Sequence, residues 1–346
     1  LHHLAKGNDF VDAVKRAYPM MKRYLDYLGS RSRNGILNHG LGDWYDLGPE
    51  FPGVAQLTPI AVTATSIYYY DARLLAGMAR ILGEESDAAF YGELAERIRT
   101  AFNREFFNPL TKVYSTGSQT AYSMPLFFGM ADDSLRSEVV NNLVKSINDG
   151  NRALTAGDVG YRYLLRVLEQ EGHSGLIFDM NSKTDVPGYG YQMSKGATAL
   201  TESWAGLAEV SNNHMMLGHL MEWFFSGLGG IRQDENSKAF KHIVVSPEIA
   251  GDITRTDCSW KSVYGEISSS WELSGNELTL KVRIPVSCTA TIRFPQSDAA
   301  KIKLDGKAAG NSDDVYKIRN EGGKICLDIL SGNYTFSCEM DAGKNF

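Results

Sequence analysis

The stretch TPIAVTATSIYYYDARLLAGMARILG, residues 58–83, decides the fold. Thr58 and Pro59 have the N-cap and first-turn chemistry that begins a helix, and Gly83 is typical of a helix end. Apolar or aromatic side chains occupy most faces of the helix between them, which predicts burial all round. The next helix, from Ser86, is amphipathic. A buried helix followed by an amphipathic one predicts an inner layer of helices covered by an outer ring.

Helical patterns continue through the larger, N-terminal part of the chain. Before residue 58 we predict a helix that has Pro19 in its first turn and ends at Gly29. Long loops at 34–57 and 181–196 alternate with short connections, which favours one functional rim. We therefore predict a helical toroid over residues 1–235. Its further helices are expected at about 133–148, 159–170, 197–209 and 213–227.

The pattern changes after Gly229 and Gly230. Apolar and polar residues then alternate with period two, and short turn sequences separate the runs. This predicts an antiparallel β-sandwich over residues 236–346. All four cysteines lie in this region at gaps that match no zinc pattern, so we expect buried thiols, with a disulfide as the alternative. The runs are at 242–246, 265–273, 278–284 and 289–294.

The composition excludes several classes of partner. The formal net charge is −6 and no basic stripe occurs, which argues against nucleic acid or an anionic membrane surface. No apolar run reaches the roughly 18 residues that a membrane-spanning helix needs. The chain opens on Leu1-His2-His3-Leu4 without an initiator Met, and we interpret it as a piece of a longer polypeptide.

Two regions carry residues that suit sugar chemistry. In the run 39–46, two glycines precede Asp43 and Trp44, where a carboxylate can accept sugar hydroxyls and an indole can cover a pyranose face. In the run 187–204, tyrosines precede Glu202, a carboxylate able to do proton chemistry at an anomeric carbon. The alternatives are an Asx-turn with a core Trp in the first run and a solvent-facing Glu in the second.

Together these motifs resemble the bacterial α-L-rhamnosidases, glycoside hydrolase family 78. The matching stretches occur in the family's order and extend over essentially the whole chain. They are GLGDW at 40–44, GAT and ESW within 196–204, SNNHM through EWF at 211–224, and VYGEISSSW at 263–271.

The resemblance implies an (α/α)6 barrel that hydrolyses terminal α-L-rhamnosides with inversion, without a cofactor or metal. By motif match, Glu202 stands where the family has its general base. Implied partners are rhamnose-containing oligosaccharides, polysaccharides or glycosides, and a periplasmic or extracellular location is favoured over the cytoplasm. The residues expected to bind the sugar are Asp43, Trp44, His214, Tyr189, Tyr191 and Trp204.

The sequence departs from the family pattern in one important respect. The family's general acid is a Glu in an Arg/Asp/Glu-rich loop before the Gly-Asp-Trp motif, and nothing in Leu1–Asn38 looks like that loop. Glu50 lies on the wrong side of the motif. We therefore expect the acid, and the first hairpins of the barrel, in a part of the same polypeptide upstream of residue 1. The alternatives are another six-hairpin glycosidase and a catalytically incomplete sugar-binding fragment.

Overall fold

The computed structural model describes residues 8–340, so the opening Leu1–Leu4 lies outside the described residues. Two compact units are present. Among the described residues, one comprises 8–171 and 176–220, and the other comprises 172–175 and 221–340. The predicted boundary at residue 235 stays a prediction.

The first unit is built from helices, and the helical residues 174–175 and 221–228 belong to the second unit. After α6 the helices become short, and the chain passes through single turns of helix at Met215–Leu217 and a π-helical turn at Phe224–Leu228. The helices are α1 Asn8–Arg31, α2 Ile60–Leu82, α3 Glu85–Phe106, α4 Gln119–Phe128, α5 Arg136–Asp149, α6 Gly160–Gln170, α7 Ser174–Ser182, α8 Tyr189–Ser194 and α9 Leu220–Trp223.

α2 forms a hairpin with α3. Between residues 60 and 82 only Arg73 and Arg80 are exposed, so the prediction of a helix buried all round is confirmed. Gly83 ends α2 with φ 77°, a left-handed conformation that glycine adopts without strain, and its N–H is satisfied by carbonyls of the last turn. α3 begins two residues later and runs back against α2. α4 packs likewise on α5 and α6, which gives the layered helical architecture predicted above.

Some helical predictions are wrong. Pro19 lies inside α1 rather than in its first turn. Residues 197–209 form turns, because the backbone of Glu202 pairs with Ser211 instead of with its own segment. The sequence reading also missed α4, where nearly every side chain is buried and no amphipathic period exists to detect.

The second unit is a β-sandwich. Its two sheets have the strand orders β10-β9-β13-β7-β6-β5 and β11-β12-β8-β4-β3. Inward side chains of both sheets, among them Phe294 and Phe336, form one core. The strands are β3 Ile231–Gln233, β4 His242–Val245, β5 Arg255–Ser262, β6 Gly265–Ser274, β7 Glu277–Ile284, β8 Thr289–Phe294, β9 Ile302–Leu304, β10 Lys307–Ala308, β11 Val315–Glu321, β12 Lys324–Ile329 and β13 Gly332–Glu339; β1 Phe107–Asn108 and β2 Val113–Tyr114 form a small hairpin in the helical unit.

The sandwich differs from the prediction in one pair of strands. β4 and β8 run parallel, with His242 opposite Thr289, whereas a fully antiparallel sandwich was expected. The parallel pair arises because three strands of the other sheet intervene between β4 and β8. The expected burial of the cysteines is confirmed: Cys258, Cys288, Cys326 and Cys338 are all buried.

The length and apolar character of the helices decide whether any of them could cross a membrane. Over residues 8–340, no helix combines the length and the apolar character needed to cross a bilayer.

Trp271 on β6 and Trp260 on β5 provide a matched test of the sandwich core. Trp271 is 1% exposed and donates its indole N–H to the carbonyl of Leu228 at 2.8 Å, whereas Trp260 is 45% exposed. We expect Trp271→Phe to lower the free energy of unfolding by about 1–3 kcal/mol, because it leaves a buried carbonyl unpaired. Trp260→Phe is expected to change it by less than about 0.5 kcal/mol. Urea unfolding of both variants checks this, and equal shifts would contradict it.

Candidate active site

Residues 154–160, here called the central segment, follow α5, end at the first residue of α6 and connect distant parts of the helical unit. The backbone N–H of Asp158 donates to the carbonyl of Trp44 at 2.9 Å. The indole N–H of Trp204 donates to the carbonyl of Ala156 at 2.8 Å. The two regions that carry the predicted site residues therefore meet at the central segment.

Two glycines allow this close approach. A Cβ on Gly157 would lie 2.2 Å from the backbone oxygen of Trp44, and one on Gly160 would lie 1.8 Å from Oγ1 of Thr120 in α4. Both separations are far inside van der Waals contact. Any side chain at either position would therefore push the first loop or α4 away from the central segment.

Asp43 holds the first loop to the central segment. Its Oδ2 accepts hydrogen bonds from the Thr120 hydroxyl at 2.5 Å and from the Gly157 N–H at 2.9 Å. Its Oδ1 accepts the Gly160 N–H at 2.7 Å. Burial raises the pKa of Asp43 to about 6, and these three bonds act in the opposite direction. Asp43 has no exposed surface, so its geometry fits a positioning role, and its contact with sugar stays a prediction.

Glu202 lies on a loop that its own backbone closes. Its N–H donates to the carbonyl of Ser211 at 2.9 Å, and the Ser211 N–H donates to Oε2 of Glu202 at 3.2 Å. The N–H of His214 donates to the carbonyl of Leu200 at 2.8 Å. The side chains of both predicted site residues, Glu202 and His214, are half-buried. The two predicted site residues, Glu202 and His214, therefore lie on opposite sides of one closed loop.

Trp204 is the centre of an aromatic cluster. It is fully buried, with its ring centroid 4.9 Å from Tyr161 in an edge arrangement and 5.8 Å from Tyr189. The Tyr189 hydroxyl donates to the carbonyl of Leu217, and burial raises its pKa to about 12. The cluster fixes the loop that carries Glu202. Trp204 therefore holds this loop in place, and its contact with sugar stays a prediction.

The remaining predicted aromatics keep accessible surface. Trp44 is half-buried, and its ring lies 5.1 Å from that of Tyr45. The ammonium of Lys195 lies 5.1 Å from the ring centroid of Tyr191. Within residues 8–340 no ring contact joins Tyr191 to Trp204, so the structure does not bring Tyr191 into the cluster.

Sequence reasoning missed two residues, Asp158 and Tyr45. Burial raises the pKa of Asp158 to about 6; the charge of His214 lowers it, and those of Asp43 and Glu202 raise it further. Burial also raises the pKa of Tyr45, as do the charges of Glu202 and Asp158. Mutual electrostatic influence of this kind places these side chains in one neighbourhood.

Asp158 has a signal in the sequence, whereas Tyr45 is distinguished only by its backbone conformation. Gly157-Asp158 repeats the dipeptide Gly42-Asp43 that marked the first loop. Tyr45 has φ 63°, a conformation that a bulky residue rarely adopts outside a constrained site, although a sequence alone does not show it. Over residues 8–340 no group of three or more His, Cys, Asp or Glu side chains is arranged to hold a metal ion.

Comparison with known proteins gives a consistent result. Residues 8–228 match the bacterial alpha-L-rhamnosidase six-hairpin glycosidase domain, and residues 230–309 match the bacterial alpha-L-rhamnosidase C-terminal domain. An alpha-L-rhamnosidase of Formosa agariphila is 29% identical over 96% of this chain and 36% of its own length.

Solved structures give the same picture. The crystal structure of Streptomyces avermitilis alpha-L-rhamnosidase complexed with L-rhamnose matches with a TM-score of 0.84 and 25% identity, over 95% of this chain and 31% of its own. The alpha-L-rhamnosidase of Dictyoglumus thermophilum matches with a TM-score of 0.85 and 24% identity, over 94% of this chain and 37% of its own, and shows the shared fold.

The chain spans roughly a third of the length of each of these relatives, 31–37%. Two family models match consecutive parts of it, and the first alone covers more than half of its 346 residues. This chain belongs to the bacterial α-L-rhamnosidase family.

Proposed function

We propose that this chain acts in the hydrolysis of terminal α-L-rhamnosides, as the part of the enzyme that carries the general base. Membership of the rhamnosidase family supports the substrate class. The observation that carries the proposal is the placement of Glu202. Its carboxylate is half-buried on a closed loop, and its charge acts on Asp158 and on Tyr45.

The proposed reaction inverts the anomeric carbon. Oε2 of Glu202 accepts the Ser211 N–H, which leaves the other oxygen available to a water molecule. The carboxylate takes a proton from that water. At the same time the oxygen of the water forms a bond to the anomeric carbon, and the bond from that carbon to the aglycone oxygen breaks. A second carboxylic acid protonates the departing oxygen. The motif order predicts this acid as a Glu in a loop upstream of residue 1.

The roles proposed for the other predicted site residues depend on whether their side chains are exposed or buried. We assign sugar contact to His214 and Trp44, which keep accessible surface beside Glu202 and Tyr45. Asp43 and Trp204 are proposed to act through the loops that they hold. Tyr189 is proposed as part of the wall behind the site, and Tyr191 stays a predicted wall residue without a contact to that cluster.

Product analysis with the full-length protein tests this function. Hydrolysis of an aryl α-L-rhamnoside, followed by proton NMR from the first minutes, is expected to release β-L-rhamnose before mutarotation mixes the anomers. Initial release of the α anomer would exclude inversion. Turnover of a different terminal sugar in a panel of aryl glycosides would favour another six-hairpin glycosidase. Binding of L-rhamnose without turnover would favour a sugar-binding role.

A further inference from the structure

Asp158 is a buried carboxyl group that the fold itself does not use. Asp158 is 7% exposed, and its side-chain atom Oδ1 is buried without a hydrogen-bond partner in the structure. A buried polar atom without a partner costs stability, and a carboxylate costs more than a neutral group. An unpaired carboxyl oxygen in a rigid setting therefore suggests a partner that arrives from outside the fold.

Two other buried aspartates of the same unit show what a structural role looks like. Asp43 accepts three hydrogen bonds from α4 and the central segment. Asp46 accepts the backbone N–H groups of Gln56, Leu57 and Thr58. Asp158 contributes only its backbone N–H to such a bond, the one to Trp44. The scaffold fixes where Asp158 lies without occupying its side chain.

The surroundings of Asp158 are those of the candidate active site. Trp204 is bonded to Ala156, two residues before Asp158, and Glu202 lies two residues before Trp204. Each of these links is a backbone or indole hydrogen bond within one compact unit. The charged and titratable groups whose electrostatic interaction reaches Asp158 are His214, Asp43, Glu202 and Tyr45.

We propose that Asp158 is a sugar-recognition residue, whose carboxylate accepts a hydrogen bond from one ring hydroxyl of the L-rhamnose unit bound beside Glu202. This proposal rests on the function proposed above and adds a residue to it. A carboxylate that accepts a hydroxyl bond in a site shielded from water binds more strongly than a neutral acceptor does.

The test measures the affinity of the full-length protein for L-rhamnose and for its three monodeoxy analogues, each of which lacks one ring hydroxyl, by calorimetry. Asp158→Asn is expected to weaken L-rhamnose binding about 10- to 100-fold, as loss of a hydrogen bond to a charged group does. One monodeoxy analogue is expected to lose a similar factor with the wild-type protein. For that analogue alone, the substitution should cost little more, since the partner hydroxyl is already absent.

Stability separates this role from a structural one. The folded-state pKa of Asp158, raised to about 6, lies above the usual value for an aspartate, so ionising it opposes folding. That penalty is absent at low pH, grows as pH rises towards about 6, and is complete above it. Asp158→Asn should therefore melt at the same or a higher temperature at neutral pH. Asp43→Asn, which disturbs three bonds, should melt lower.

The pH dependence of binding gives a third readout. Because the carboxylate form accepts the hydroxyl, wild-type affinity for L-rhamnose is expected to rise as pH increases through about 6 and then level off. In Asp158→Asn that rise should shrink, because the carboxyl group that titrates near this pH is gone.

The outcomes are distinguishable. The inference is overturned if Asp158→Asn leaves the affinity for L-rhamnose unchanged. It is also overturned if the substitution weakens binding of all three monodeoxy analogues by the same factor as it weakens binding of L-rhamnose. In either case, hydrolysis of rhamnosides by the wild-type protein leaves the proposed function standing. A lower melting temperature together with unchanged affinity shows a structural residue instead. A wild-type protein that neither binds L-rhamnose nor hydrolyses its glycosides overturns both.

Discussion

Glu202→Gln is expected to lower kcat/KM for an aryl α-L-rhamnoside by about 10²- to 10⁴-fold, the usual contribution of general-base catalysis. Glutamine has the shape of glutamate, and its amide oxygen can still accept the Ser211 N–H that closes the loop. It cannot take a proton from water. The loss should therefore fall on turnover, with the affinity for L-rhamnose changed far less.

Glu209 provides the matched control for this substitution. It is an exposed glutamate on the same loop, so Glu209→Gln removes one negative charge nearby without removing the proposed base. Wild-type turnover is expected for that variant. Azide, an anion that attacks without a base, is expected to restore turnover in Glu202→Gln and to yield the β-L-rhamnosyl azide. If Glu202→Gln retains more than about a tenth of wild-type activity, Glu202 is not the general base.

Gly157→Ala is expected to disrupt both the fold and the site. The new Cβ would lie 2.2 Å from the backbone oxygen of Trp44 and 2.7 Å from that of Asp43, so backbone rather than a flexible side chain has to move. Overpacking of this kind costs about 1–3 kcal/mol and sometimes more, and rigid backbone neighbours favour the upper end. A displacement of about 1 Å at the site can cost a further ~10²-fold in rate. Urea unfolding and kcat/KM measure the two effects.

Gly53→Ala is the corresponding control in the first loop. A Cβ on Gly53 meets no atom within 4 Å, and its carbonyl can still accept the Tyr45 N–H. We expect a change between zero and a stabilisation of about 1 kcal/mol, because alanine restricts the unfolded chain. Similar losses of stability in the two variants would contradict the steric argument for Gly157.

The sequence predicted the elements whose signals are local. α2 has a glycine end and an apolar surface that can be recognised without knowledge of its neighbours, although Pro59 rather than the predicted Thr58 is its N-cap, without a side-chain cap hydrogen bond. The period-two runs of β6 and β7 likewise alternate between core and solvent. The prediction failed at 197–209, where residues with good helix propensity are held open by the pairing of Glu202 with Ser211. Tertiary contacts of that kind leave no periodic trace in the sequence.

The same distinction applies to the site. Glu202 and His214 were selected because motifs in a family order identify positions directly. Asp158 was missed because the contacts that hold its segment in place join positions that are distant in sequence. The bond between Asp43 and the residue before it, Gly157, joins positions 114 apart. Burial without a partner, which distinguishes Asp158 from Asp43, appears only once the chain is folded.

The parallel pairing of β4 with β8 has a consequence for how the sandwich assembles. His242 on β4 reaches its partner Thr289 on β8 across 47 positions, and all of β5, β6 and β7 are synthesised in between. During translation, β3 and β4 therefore emerge well before the strand that β4 must join, while β5 to β7 can already pair as successive hairpins. Because distant pairings form slowly, we expect the pairing of β4 with β8 to be a late step in folding of this unit.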